Sequence, residues 1–406
     1  MIAPFDKVLL PVKGGIMLVL PLALYFCGDD LFIDNQALNG LRLWAENFGH
    51  VTLCAQSVSV DEAPPGTGSF KMHGQVDVLA LPQTYDPISC LRALPSVWKT
   101  LAKLIRSHEH LQFAIGGVWG DWGALAAIIA WRMQRPAAIW TDRVESKVMT
   151  FQAQEKRGFR RWYSLMNAKL AAYLERFVIR RSALGLFHGG DTFEAYSSFS
   201  PRPHLVHDIH LGPDALISES ELQTKLARTG ALDIIYIGRA HRDKGISDWI
   251  KCLLLLNKLG VEFKATWYGD GPDLELARLQ SSDLGERVEF PGALHDREAL
   301  LARLRASDIF MFCHKTPESP RCLIESLICG TPIIGYKSHY PADLIKKNGG
   351  GILTYDSHIA LSDIIRKLDR NYLSDLTQRA ALDGHDMTDT ITFRHRSELI
   401  KDLTNK

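Results

Sequence analysis

The sequence predicts an α/β protein of two domains, each a parallel sheet covered by helices. Three observations predict it. Short apolar strands alternate with helical patterns over residues 19–141, and a second such series runs over 233–336; this alternation specifies parallel strands joined by crossover helices. A polar stretch, Ser218–Gly230, lies between the two series. The length of 406 residues suits two domains at roughly 100–200 residues each. The expected limits are a first domain over 1–217, a linker over 218–231, a second domain over 232–385, and a final helix over 386–406 that crosses back to the first.

Composition excludes several function classes. The chain is 46% hydrophobic and 23% charged, an ordinary globular balance. A net charge of +1 makes no global case for nucleic acid. Seven cysteines, an odd number without CxxC spacing, argue against a disulfide framework or a zinc site and fit a reducing cytoplasm. Ile16–Phe26 is apolar but interrupted by Pro21, and is shorter than the roughly 20 residues of a membrane span. Neither Gly14-Gly15 nor Cys27-Gly28-Asp29-Asp30 supplies a small-x-small cleavage pattern beside it, so it reads as a buried first strand.

In chain order, Val19–Cys27 is the first strand and Gly28–Asn35 a polar turn. Gln36–Phe48 is a helix with Leu38, Leu41, Trp44 and Ala45 on one face. Val51–Ala55 and Val76–Leu81 are strands separated by a Pro/Gly loop, and Ile88–His108 is a helix after Asp86-Pro87. Phe113–Val118 is a strand leading through Trp119-Gly120-Asp121 into an Ala-rich helix. Ala137–Thr141 is a strand that ends in Asp142-Arg143. Ligands of such sheets bind beyond the carboxyl ends of the strands. Asp121, Asp142 and Arg143 fall there.

Arg157–Arg181 carries seven basic residues against one acidic, Glu175. Trp162, Met166, Leu170, Tyr173 and Phe177 recur at helical spacing. Such a helix either lies on an anionic membrane surface or packs its apolar stripe into the core with a solvated basic face. His188 and His210, near later strand ends, read as satisfied structural histidines.

In the second series, strand Asp233–Ile237 runs into Gly238-Arg239-Ala240-His241-Arg242-Asp243-Lys244-Gly245. Arg239 offers a planar donor fork and Lys244 a point charge, both suited to a diphosphate; the plainer reading is a solvated basic turn. Strand Phe263–Trp267 leads to the Gly-rich turn Gly269-Asp270-Gly271-Pro272. Asp308–His314 is a strand, Lys315–Pro320 a turn, Arg321–Cys329 a short helix stopped by Gly330, and Thr331–Tyr336 the next strand. A helix N-terminus returned over a strand end favours phosphate. Glu318 in that turn and Glu325 in that helix are carboxylates able to accept from sugar hydroxyls, or else two surface glutamates.

The ordered segments GRAHRDKG, YGDGP, VEFPGAL and PESPRCLIESLICGTPIIGY, over about Asp233 to Thr354, resemble the donor domain of glycosyltransferase family 4. These are retaining enzymes of the GT-B fold, two Rossmann-like domains facing across a cleft. The resemblance implies that Arg239 and Lys244 stabilise the departing nucleoside diphosphate. Glu325 binds the ribose hydroxyls, Glu318 lies against the donor sugar, and Gly292 to Leu294 sit near the base. Gly269 and Asp270 belong to the same rim, and the helix opened by Arg321, Cys322 and Leu323 presents N–H groups to the diphosphate. No DxD triplet occurs, so no metal or other cofactor is expected, and the donor is a UDP-, GDP- or ADP-sugar.

Two departures stand out. Glu318 and Glu325 have six residues between them where the family has seven, a shortening that Pro317 and Pro320 let the loop absorb. Where the family often has a Gly-Gly turn after its first strand, this chain reads Asp29 to Gln36. Asp34, Asn35 and Gln36 are therefore acceptor-side candidates, with Asp34 alternatively a helix N-cap. Asp142 stands where the family frequently has His and is a catalytic-site candidate; Asp121 and Arg143 complete the acceptor set. The expected activity is retaining transfer of a sugar to a hydroxyl, with a glycan or lipid-linked glycan of bacterial surface polysaccharide as acceptor. The expected location is cytoplasmic, on the inner membrane face through 157–181. A sugar-nucleotide 2-epimerase of the same plan and a non-catalytic nucleotide-sugar binder remain open.

Overall fold

The structure is a computed structural model that describes residues 12–71 and 74–404. Residues 1–11 and 405–406, which the expected domain limits include, and residues 72–73 lie outside the described residues. The chain divides into two compact units. One holds the chain up to His188, Thr192–Val206 and everything from Phe393; the other holds Gly189–Asp191 and His207–Thr392.

The first unit is built on a nine-stranded sheet. Its strands are β1 (Val12–Cys27), β2 (Asp30–Asp34), β3 (Val51–Ser59), β4 (Thr67–Ser69), β5 (Val76–Leu81), β6 (His108–Ala114), β7 (Ala138–Thr141), β8 (Leu184–His188) and β9 (Pro203–Val206). The parallel part runs β5-β3-β1-β6-β7-β8-β9. Order therefore reverses between β1 and β6, the switch point of a Rossmann-like sheet. The polar turn expected over 28–35 is instead mostly strand: β2 pairs antiparallel with the end of β1, and β4 pairs with β2. Leu31, Phe32 and Ile33 give that segment its strand propensity, which the flanking aspartates conceal.

Asp121 opens the helix Trp122–Arg132 just beyond β6. Its Oδ1 accepts from Ala124 N–H at 2.9 Å and its Oδ2 from Gly116 N–H at 3.0 Å. Burial, reinforced by the charge of Glu145 and opposed by these bonds, pushes its carboxyl up to about 6.

The helix Gly158–Arg181 does not turn its apolar stripe inward. Its buried face is Asn167, Ala168, Ala171, Glu175, Val178 and Ile179. Glu175 Oε2 accepts from Ser146 Oγ at 2.9 Å. Phe159 (74% exposed), Trp162 (58%) and Tyr173 (67%) face solvent, and Met166 and Leu170 accompany them. Only Phe177 of the stripe is half-buried, with its ring edge on Trp131 and the Arg181 guanidinium 3.8 Å over it. The buried face packs against the helices Trp122–Arg132 and Glu145–Ala153; the large residues of this helix are left outside.

The second unit carries a six-stranded parallel sheet in the order β12-β11-β10-β13-β14-β15. These strands are β10 (Leu232–Ile237), β11 (Phe263–Tyr268), β12 (Val288–Gly292), β13 (Ile309–Phe312), β14 (Ile333–Tyr336) and β15 (Gly351–Thr354). The sheet's switch point lies between β10 and β13. Tyr236 and Trp267, on neighbouring strands, stack with ring centroids 3.8 Å apart, and Trp249 meets Trp267 edge-on. All three are buried, so the strand ends beneath the switch point rest on an aromatic layer.

Two expected boundaries move. The unit boundary falls at Val206–His207 rather than at 217. The expected linker 218–231 contains a helix, Glu219–Leu226, opened by a capping box between Ser218 and Glu221. Its polar composition hid a start signal that the sequence does carry, Ser-x-x-Glu. Lys225 of that helix is buried, and burial pushes its ammonium down to about 7. Helices Glu145–Ala153 and His339–Leu344 were also not anticipated.

Gly245 ties the loops of the second switch point together. Its φ is +72°, and a Cβ there would sit 2.0 Å from the carbonyl oxygen of Cys313. Gly245→Ala is expected to cost more than about 2 kcal/mol, from strain plus a backbone clash, read as a lowered urea midpoint. For Asp121, a folded pKa raised above the unfolded value contributes stability below the unfolded pKa that is lost as pH rises through about 6. Asp121→Asn keeps the Oδ1 cap and loses the acceptor for Gly116. The melting-temperature gap between wild type and variant should therefore shrink as pH rises from acidic to neutral; a gap that stays constant contradicts the burial effect.

Candidate functional site

In the second unit, β10 and β13 are neighbours, and the loops leaving their carboxyl ends meet. Lys315 N–H donates to the carbonyl of Asp243 at 2.8 Å. Lys244 closes the short helical turn after β10, and its Nζ lies 2.6 Å from Glu318 Oε1 in the bend after β13. The two side chains are 16% and 14% exposed, so this pair is shielded. The structure thus joins two residues that lie 74 positions apart.

Arg239 is placed differently. Its side chain is 59% exposed, and Asp243 Oδ2 stands 3.8 Å from Nη2. It occupies the solvent edge of the loop from which Lys244 reaches inward.

Glu325 is buried in the helix Arg321–Ile328, and its Oε1 accepts from Arg297 Nη2 at 2.6 Å. Pro320 provides no side-chain cap for this helix. The Arg321 side chain is engaged elsewhere, with Nη2 2.9 Å from Asp208 Oδ2. The Cys322 thiol is pushed up by burial first, then raised by Glu325 and Glu318 and lowered by Lys244. All three charges therefore act on one sulfur. Leu323 is buried beneath them.

The glycine turns close the rim. Gly269 N–H donates to Gly292 O and Ala240 N–H to Asp270 O, each at 2.9 Å. Gly269 has φ +145°, and a Cβ there would lie 2.1 Å from Gly238 O; no larger residue fits between these loops. Asp270 Oδ2 accepts from Ala293 N–H at 3.3 Å, and Leu294 next to it is half-buried. The expected donor residues therefore form one continuous rim over the strand ends, with Arg321's side chain directed to Asp208.

Two further residues belong here that sequence reasoning passed over. His314 lies two residues beyond β13 on the way to the bend, and its Nε2 is 2.9 Å from Tyr236 Oη. Burial, then the Lys244 cation, push it well below the usual histidine range. It is a neutral imidazole beside a cation. Arg297 has no signal at the level of spacing, since its partner Glu325 lies 28 residues on.

In the first unit the acceptor-side candidates scatter over several strand ends. Asp34 is the N-cap of the helix Asn35–Phe48: Oδ1 accepts from Gln36 N–H at 2.9 Å and Ala37 N–H at 3.1 Å. Asn35 is exposed beside it, its N–H donating to Gly66 O at 3.0 Å. Asp121 caps its own helix as described. Asp142 is exposed at the end of β7. Arg143 pairs with Glu145, Nε to Oε2 at 2.5 Å, rather than with Asp142. Glu145 was missed because its helix was missed. His188 is buried, stacked on Trp140 at 5.5 Å, and His210 lies 3.6 Å from Asp208, so neither stands open. Among the described residues no group of three or more His, Cys, Asp or Glu is placed to hold a metal ion.

The residues of this rim lie within a segment that matches a known family. Residues 218–382 match the family model described as glycosyl transferases group 1. A GDP-mannose-dependent alpha-(1-6)-phosphatidylinositol dimannoside mannosyltransferase of Mycobacterium tuberculosis is 26% identical over 117 residues, 29% of this chain and 30% of that protein. The alpha-monoglucosyldiacylglycerol synthase of Streptococcus pneumoniae is 27% identical over 151 residues, 36% of this chain and 34% of its own length. The match thus spans about a third of each curated relative. Among solved structures, sucrose-phosphate synthase from Thermosynechococcus elongatus superposes with TM-score 0.67 at 15% identity, covering 96% of this chain and 99% of that one. Anabaena HepE in complex with UDP and glucose gives TM-score 0.64 at 14% identity, with 96% and 99% covered. At these identities the likeness speaks for the fold. The chain has the α/β architecture of two Rossmann-like domains seen in GT-B glycosyltransferases, and its residues 218–382 are similar to the glycosyl transferases group 1.

Proposed function

We propose that the protein is a retaining glycosyltransferase that moves a sugar from a nucleoside-diphosphate donor to a hydroxyl of a lipid-linked glycan. The observation that carries this reading is the shielded Lys244–Glu318 pair at 2.6 Å, set at the switch point beside Glu325. A cation there stabilises charge developing on a leaving diphosphate, and a carboxylate beside it orients the sugar and supports positive charge at its anomeric carbon. Arg239, exposed on the same loop, is free to fold over the phosphates and add a second cation, so no metal is invoked.

In the step proposed, the bond between the anomeric carbon and the diphosphate oxygen breaks. The acceptor oxygen bonds that carbon on the same face, and its proton passes to the departing phosphate oxygen. Glu325 takes the ribose hydroxyls, and the rim of Gly269, Asp270, Gly292 and Leu294 takes the base. Asp142, the exposed carboxylate beyond β7, is the acceptor-side candidate of choice. Asp34 and Asp121 hold helix starts instead.

Both curated relatives are named for glycolipids, a phosphatidylinositol dimannoside and a monoglucosyldiacylglycerol. The helix Gly158–Arg181 supports a lipid-linked acceptor here. It turns Phe159, Trp162, Met166, Leu170 and Tyr173 outward, flanked by Arg160, Arg161, Lys169, Arg176 and Arg180, while its one acidic residue points in. Apolar side chains ringed by cations suit the headgroup layer of an anionic membrane. The reading places the protein peripherally on the cytoplasmic membrane face. Among the described residues no helix is long and apolar enough to cross a membrane.

Arg239→Ala and Lys244→Met are each expected to lower turnover by about 100-fold or more with an unchanged circular dichroism spectrum. Both retaining near-wild-type donor consumption contradicts the site. In flotation assays the protein should rise with phosphatidylglycerol-rich vesicles and stay behind with phosphatidylcholine alone. Phe159→Ser with Trp162→Ser should weaken partitioning at least about tenfold, from the lost apolar burial. Equal flotation by wild type and double variant contradicts the membrane face.

A further inference from the structure

We infer that Arg297 is a positioning residue for donor recognition: its guanidinium fixes the carboxylate plane of Glu325 so that both oxygens meet the vicinal hydroxyls of the ribose. The inference rests on the donor-site reading above and adds a residue to it.

Glu325 sits in the middle of the helix Arg321–Ile328 and is 4% exposed. A glutamate has three side-chain torsions, and ordering them costs rotamer freedom. A seat for two hydroxyls needs that ordering done before the ligand arrives. Arg297 Nη2 supplies it through a charge-assisted bond of 2.6 Å to Oε1. Oε2 has no hydrogen-bond partner among the described residues. An ionised carboxylate offers about four acceptor sites, so Arg297 occupies one and leaves sites on both oxygens for hydroxyl donors.

The position of Arg297 adds a second consequence. It is the first residue of the helix Arg297–Ala306, whose N-cap is Asp296. That helix follows directly on the loop Gly292 to Leu294, which is tied to Asp270 and Gly269. The loop assigned to the base therefore ends in the side chain that sets the ribose carboxylate. A shift of the loop on binding a base would carry Arg297, and Glu325 with it. Arg297 is a third exposed, so its cation stays within reach of solvent, unlike a purely internal brace.

The test uses full-length protein and calorimetric titration with UDP, GDP and ADP, each beside its 2′,3′-dideoxy counterpart. Wild type is expected to prefer at least one ribonucleotide over its dideoxy form by tenfold or more. Arg297→Met should shrink that preference at least fivefold while dideoxy affinity stays within twofold. Arg297→Lys, which keeps a cation but not the planar fork, should recover part of it. In a Glu325→Gln background, Arg297→Met should remove no further ribose preference. If Arg297→Met keeps the full preference, or loses ribo and dideoxy affinity equally, the inference is overturned. If that variant melts below the assay temperature, Arg297→Lys decides: full preference there overturns the inference. Wild type that binds none of the three nucleotides, or binds without ribose preference, overturns the donor-site reading itself and leaves a different signature.

Discussion

The site in the second unit depends on the mutual shielding of one ammonium and one carboxylate. Lys244 and Glu318 are each about one-sixth exposed or less and meet at 2.6 Å. Neither could stay so covered alone, because a buried charge without a partner costs several kcal/mol. Each therefore justifies the other's burial, and together they hold the bend after β13 against the turn after β10. The Lys315–Asp243 backbone bond and the close approach of Gly245 to Cys313 point the same way. Charge pairing and loop geometry are one constraint here.

That constraint also explains the chemistry around it. His314 is held neutral by burial and by the Lys244 cation, so it adds no competing positive charge. Its bond to Tyr236 Oη anchors the strand end to the aromatic layer of Tyr236, Trp267 and Trp249. Stiff packing below and paired charges above leave the rim itself, Arg239 included, as the part that can adjust.

Much of this was legible in the sequence, for identifiable reasons. The strands β5 and β10 to β14 follow apolar runs bounded by Gly, Pro and Asp, where propensity and burial agree. The switch-point loops were legible because their glycines and cations sit at short, fixed spacings. Asp34 as a cap was legible from its place before an amphipathic run. Long-range pairs were not. Nothing local ties Arg297 to Glu325 or Arg321 to Asp208; Glu145, only two residues from Arg143, was hidden instead by a missed helix start. The helix Gly158–Arg181 misled in part, since its helical period is real while the face of Asn167, Ala168, Ala171, Glu175, Val178 and Ile179, not the aromatic stripe, is the buried one. Periodicity reports that a stripe exists and not which side the rest of the unit lies on.

The last helix carries a consequence for how the molecule is made. Phe393 and Ile400 are buried in the core of the first unit, beside Trp44 and Trp140, and Arg396 lies over the rings of Trp44, Trp140 and Phe393. The strands of that core are synthesised before the second unit, yet Phe393 and Ile400 follow it in the chain. During translation the half made first must wait with a gap in its interior, while the half made second already holds all its own residues. Order of synthesis and order of completion are therefore reversed, and a nascent chain stalled before residue 393 would expose the unfilled face of Trp44 to chaperones.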